Sequence, residues 1–219
     1  MLGRVVAAAS LVGCTFSGAN IEDAGADSPD AAPDATTTGT FVFQQNLNGY
    51  TGTLDTYLAE GDALSVFGDR ELIIVDANDA ANGAQWGALR FDGMFAANGG
   101  PIPDGASIGS ATLRIVIDDE GSPVNFRNAL TSWSEASVWA DFGVDLVLGG
   151  NASEMVAATT PNLATGAIAL VVTSSVSAWS SDPSANLGWF LEGTQGNGVE
   201  FVASEGTANR PRLEVVVVP

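Results

Sequence analysis

Short segments in which apolar and polar residues alternate recur along most of the chain, each bounded by turn-forming residues. Two-residue alternation places successive side chains on opposite faces of an extended backbone, so the pattern predicts strands. Ten are predicted, at residues 40–45, 55–58, 71–76, 87–91, 110–117, 124–128, 167–172, 187–192, 199–203 and 212–218. The turns between them carry Asn48-Gly49, Asn82-Gly83, Asn98-Gly99-Gly100, Glu120-Gly121 and Asn197-Gly198, where positive φ costs little. One helix is expected where Val172, Val176 and Trp179 share a face at helical spacing, with Thr173 placed to cap it and Pro183 to stop it. Many short strands and a single short helix predict an all-β fold: one β-sandwich or jelly-roll domain over residues 40–219.

Alternation also assigns faces. Leu89 and Phe91 point one way and Arg90 the other, with Trp86 on the side of Arg90. Leu113, Ile115 and Ile117 oppose Arg114, and Leu213, Val215 and Val217 oppose Arg212 and Glu214. Three strands therefore carry an arginine on the face away from their apolar set.

Composition narrows the chemistry. The 219 residues include 26 acids, seven Arg, no Lys, no His and one Cys, for a formal charge of −19. Without imidazole there is no Ser-His-Asp triad, no Cys-His pair and no His-ligated zinc or haem. One thiol closes no internal disulfide. A pI near 4.1 argues against DNA or RNA as a partner, because neutralising phosphates takes basic patches.

The first residues read as an address. Arg4 precedes the apolar run 5–12, far shorter than the roughly 20 residues of a membrane span. The run ends in Leu11-Val12-Gly13-Cys14, which resembles a bacterial lipobox. Residues 1–13 are then a signal peptide and Cys14 the lipidated residue, anchoring the protein to a membrane of the bacterial cell envelope. An ordinary secretory signal with a chance Cys is the plainer alternative. Residues 15–39 mix Glu22, Asp23, Asp27, Asp30 and Asp34 with Ala, Gly, Pro and Thr and contain no basic residue. Such a stretch buries too little apolar surface to offset its ordering entropy, and a disordered tether is expected.

Within the head, Asp55-Thr56-Tyr57-Leu58, Phe67-Gly68-Asp69, Leu89-Arg90-Phe91-Asp92, Ile102-Pro103 and Ala111-Thr112-Leu113-Arg114 occur in order. They are followed by Trp133-Ser134-Glu135-Ala136-Ser137-Val138-Trp139, Val172-Thr173, Ala178-Trp179, Gly188-Trp189-Phe190-Leu191, Phe201 through Glu205 and Arg210-Pro211-Arg212-Leu213. This succession resembles the DNRLRE domain family. The resemblance implies a β-sandwich module of secreted and surface bacterial proteins, classed with carbohydrate-binding modules, some associated with alginate. It implies a polysaccharide partner and a module that binds without reacting. Residues 142–161 match no motif of the family, and a binding loop is free to differ there.

Aromatic rings stack on sugars, which makes each tryptophan a candidate. Trp133, Trp139, Trp179 and Trp189 sit in motif positions or on apolar faces and read as core. Trp86 lies outside the motifs and shares a face with Arg90, so it is read either as a sugar platform or as core. Arg90 and Arg114 are candidate bidentate donors to a uronate carboxylate or to vicinal hydroxyls, with a salt bridge to Asp92 or Glu214 as the alternative. Asp76, Asn78 and Asp79, and separately Asp118-Asp119-Glu120, offer oxygen ligands for calcium in turns, though neither follows EF-hand spacing. Two readings stand beside sugar binding: a structural or adhesive surface module, and a glycoside-acting enzyme with paired carboxylates.

Overall fold

The structure, a computed structural model, describes residues 38–143, 145–161 and 164–219. The expected signal peptide, Cys14 and nearly all of the acidic tether lie outside the described residues. Among the described residues, no helix is long and apolar enough to cross a membrane.

Among the described residues, eleven antiparallel strands and one α-helix make up the fold, which is all-β as expected. In chain order the strands are β1 (Gly39–Gln44), β2 (Thr53–Ala59), β3 (Leu72–Asp79), β4 (Gly83–Phe91), β5 (Ser107–Asp119) and β6 (Val124–Ala129). They continue with β7 (Ala152–Thr159), β8 (Gly166–Val171), β9 (Trp189–Gly193), β10 (Val199–Val202) and β11 (Arg212–Val218). All ten expected strands are present, their ends shifted by a few residues. The eleventh, β7, was not expected: Ala152-Ser153-Glu154-Met155-Val156-Ala157-Ala158 is rich in helix formers and lacks clean alternation. Pairing with β6 makes it a strand despite its propensity.

The sheet curls on itself. β1, β11, β5, β8 and β10 form one layer, and β2, β4, β9, β6 and β7 the other. β3 joins them, pairing with β10 over Leu72–Val75 and with β4 at Asp76 and Asp79 across an irregularity. β5 is thirteen residues long, enough to pair with β11, with β8 and, past the end of β11, with β10.

The inner faces meet in the main core. Leu113, Ile115, Ile117, Leu213, Val215 and Val217 come from one layer, and Leu89, Phe91, Phe126, Trp189 and Leu191 from the other. The helix α1 (Thr173–Ser181) closes one end with Val176 and Trp179, whose ring lies 4.8 Å from that of Trp189. Thr173 does not cap α1: Val172 occupies the N-cap, and the Thr173 hydroxyl accepts the Ala111 N–H at 2.9 Å, pinning the helix to β5.

A second core lies on the outer face of the β2–β4–β9–β6 layer. The chain between β6 and β7 doubles back over that face and brings Trp133, Trp139, Phe142 and Leu146 onto Leu58, Trp86, Ala88 and Phe190. The Trp133 indole N–H donates to the Leu187 carbonyl at 2.8 Å, and the Phe142 ring stands edge-on to Phe190 at 5.5 Å. Trp133, Trp139, Trp179 and Trp189 are all buried, as expected of core residues.

Candidate functional site

The register places Trp86, Ala88 and Arg90 on the outer face of β4, opposite Leu58, Thr56 and Leu54 of β2. The expected face is therefore right for Trp86, but the expected exposure is not. Its side chain is 7% exposed, enclosed by the second core, and leaves no ring face open to a sugar. The stacking platform is corrected to a core residue, and the cause is the chain between β6 and β7, which lays Trp133, Trp139, Phe142 and Leu146 over this face.

Arg90 lies at the margin of this covered face, its side chain 14% exposed. Nη2 donates to Asp92 Oδ2 at 3.0 Å, and Nε lies 2.7 Å from Oδ1, off the N–H direction. Nη1 donates to the Trp133 carbonyl at 3.3 Å, and the guanidinium sits 5.2 Å above the Trp133 ring. A carboxylate and an aromatic face together hold the cation in one orientation. The salt bridge to Asp92, the alternative weighed for this residue, is present.

Arg114 is far less constrained. It is exposed on the outer face of β5, in register with Arg212 of β11 and Ala169 of β8. Arg212 pairs with Glu214 at 3.2 Å. Arg90 and Arg114 thus occupy different layers and form no common site.

The acids of β3 serve turns. Asp76 Oδ1 accepts the Asn78 N–H at 2.8 Å, and Asp79 Oδ1 accepts those of Ala81 and Asn82 at 2.9 and 2.7 Å. The backbone donors of Asn82 and Ala81 hold the Asp79 carboxyl below its ordinary range. Among the described residues, no three acidic or thiol groups converge at metal-binding distances.

Two arrangements escaped the reading of the sequence. The first is an open cleft of about 410 Å³ where the end of β4 meets the turn after α1, lined by Arg90, Asp92, Asn98, Pro183, Ser184 and Asn186. Hydrogen bonds tie its walls together. Asn186, itself buried, donates through Nδ2 to the Phe91 carbonyl at 2.9 Å, and Asn98 Nδ2 donates to the Pro183 carbonyl at 3.3 Å. The Ser184 N–H and hydroxyl both donate to Asp182 Oδ1. Gly188 carries the chain past β4 at φ 73°, where a Cβ would collide with the Leu89 carbonyl.

The second arrangement is a carboxyl pair, Asp55 buried and Glu205 half-buried. Asp55 projects from the inner face of the edge strand β2, 1% exposed, and its Oδ2 accepts the Ser204 N–H at 2.8 Å. Ser204 Oγ in turn donates to Glu205 Oε1 at 2.9 Å. Burial first, and the Glu205 charge second, push Asp55 up to about 8, so Asp55 keeps its proton at neutral pH. Glu135 arrives from the chain between β6 and β7, close against Gly68, and is raised by burial and then by Glu205. A sequence signal for this trio existed: Asp55, Glu135 and Glu205 each lie inside a motif that carries the family resemblance. For the cleft there was none, since its two walls are about ninety residues apart.

Compared with known protein families and with curated proteins, the chain matches none.

Proposed function

We propose that the protein is a non-catalytic carbohydrate-binding module of the DNRLRE type, held at the bacterial cell surface through a lipidated Cys14. The observation that carries this reading is the open cleft at Arg90 and Asp92. Concave, polar and rigidly hydrogen-bonded, it suits a ligand recognised through many hydroxyls. Its size, about 410 Å³, fits one or two sugar units of a longer polymer rather than an enclosed small molecule. The carboxyl pair supports binding over hydrolysis, because Asp55 is closed to solvent and does not reach a glycosidic bond.

A polysaccharide affinity screen, run with calcium and again with chelator, tests the reading. Retardation by at least one polymer is expected, abolished by Ser184→Trp, which fills the cleft from an exposed position without touching either core. Absence of retardation by every polymer overturns it. The calcium arm also reports on Asp76, Asn78 and Asp79, the candidate ligands. The anchor has its own test: Cys14→Ser is expected to release the protein from the membrane fraction or leave its signal uncut, and unchanged fractionation refutes the anchor.

A structural or adhesive role draws support from a different place. Met155 and Val156 are exposed on β7, with Leu130 and Val147 exposed in the connections beside it. Such apolar exposure along an edge strand favours contact with another protein.

A further inference from the structure

Resting on the binding reading above, we infer that the cleft selects neutral, hydroxyl-rich sugar units and rejects uronates, with the Asp92 carboxylate as its principal acceptor. Arg90 is the one cation among the residues that line the cleft, and it is already committed. The Nε–Nη2 edge faces Asp92, Nη1 is given to the Trp133 carbonyl, one flat face rests on the Trp133 ring, and the side chain is 14% exposed. A uronate carboxylate reaches that guanidinium only by displacing Asp92, which then stands as an uncompensated anion beside the incoming one.

What the cleft presents to solvent is instead Asp92, whose side chain is 46% exposed. Its oxygens are oriented by Arg90, and each has acceptor capacity beyond that contact. A carboxylate held in this way accepts hydrogen bonds from a pair of neighbouring hydroxyls, and such charge-assisted bonds are stronger than neutral ones. Asn98 and Ser184 also line the cleft, both exposed, Asn98 with donor and acceptor capacity and Ser184 with a hydroxyl acceptor. No open aromatic ring completes the site, since Trp133 is 5% exposed and its indole N–H is spent on Leu187. Recognition is therefore by hydrogen bonds to hydroxyls. The surrounding field acts in the same direction: residues 40–219 hold 21 acids against six Arg, a net charge of about −15 that disfavours any polyanion.

The test is affinity electrophoresis of the full chain through gels containing a soluble neutral glucan, a galactomannan, alginate or polygalacturonate. Wild-type protein is expected to be retarded by a neutral polymer and not by the two uronate polymers. Asp92→Asn removes the acceptor charge and frees Arg90, so it should weaken neutral-polymer binding about tenfold or more and create salt-sensitive retardation by a uronate polymer. Ser184→Trp should abolish retardation, which keeps the test decisive if Asp92→Asn proves unfolded by thermal melt. Wild-type retardation by alginate or polygalacturonate alone, lost in Ser184→Trp, overturns the inference and leaves sugar binding standing. Neutral-polymer retardation untouched by either substitution overturns the cleft as its site. Retardation by none of the four overturns the inference, and only the wider screen then decides whether the binding reading fails with it.

Discussion

The two outer faces of the sandwich have similar sequence patterns and different fates. On β5 and β11, Arg114, Arg212 and Glu214 alternate with core residues and project into solvent or onto one another. On β4 and β9, Trp86, Ala88 and Phe190 alternate with core residues in the same way, yet they lie under a second core. The difference is made by one segment, the chain between β6 and β7, which folds over one face and, among the described residues, has no counterpart on the other. Alternation reports which side chains share a face. It does not report whether a loop from elsewhere covers that face.

Breaking the covered face should have the largest effect. Trp133→Ala and Trp86→Ala each leave a large cavity, and each is expected to cost about 3–5 kcal/mol of unfolding free energy in urea titration. A Trp86→Ala protein as stable as the wild type would show that the second core is ornamental to stability, and would reopen Trp86 as a surface group.

The carboxyl pair gives an effect of intermediate size at the seam between the layers, where β2 meets the turn after β10. Asp55 has a folded pKa of about 8 against an ordinary value of 3.8, so the folded state keeps a proton that the unfolded chain releases. Stability from this source is complete below about pH 4 and is lost as pH rises toward 8. Glu135, raised by burial and then by Glu205, acts in the same direction. The melting temperature should fall across this window; a loss of even 1 kcal/mol corresponds to about 2–4 °C in a domain of this size. Asp55→Asn mimics the protonated form, and is expected to flatten the slope and to melt above the wild type at pH 8. Equal slopes for the two proteins would assign the pH dependence to other groups.

The smallest effect belongs to the uncovered face. Arg114→Ala should change stability by no more than about 0.5 kcal/mol, with a slight gain the more natural sign because Arg114 faces Arg212 across the ladder. A loss above 1 kcal/mol would mean that this face too is engaged.

Part of the covered face was legible in advance. Trp189-Phe190-Leu191 is an unbroken apolar run, and all three residues are almost fully buried. A strand that does not alternate is buried on both sides, and that signal pointed to a cover over β9. Trp86 in Gln85-Trp86-Gly87-Ala88-Leu89 carried the same hint more weakly, because glycine and alanine blur the pattern. β7 carried no usable hint, since its local preference is helical and only pairing with β6 makes it extended.

The sequence by itself determined the all-β class, the ten expected strands, the inner faces of those that alternate, and the turn at Asn48-Gly49, where φ is 53° and 83°. These depend on neighbours two to four residues apart, and local sterics and periodicity encode them directly. It also determined the absence of imidazole chemistry and the acidic character of the head. The tertiary structure alone decided that Trp86 is enclosed, that Arg90 is spent on Asp92 and Trp133, that Asp55 meets Glu205 across 150 residues, and that Asn98 and Ser184 face one cleft. Each of these depends on where distant segments come to lie when two layers and a returning loop exclude water together, and that is a property of the whole packing rather than of any stretch of chain.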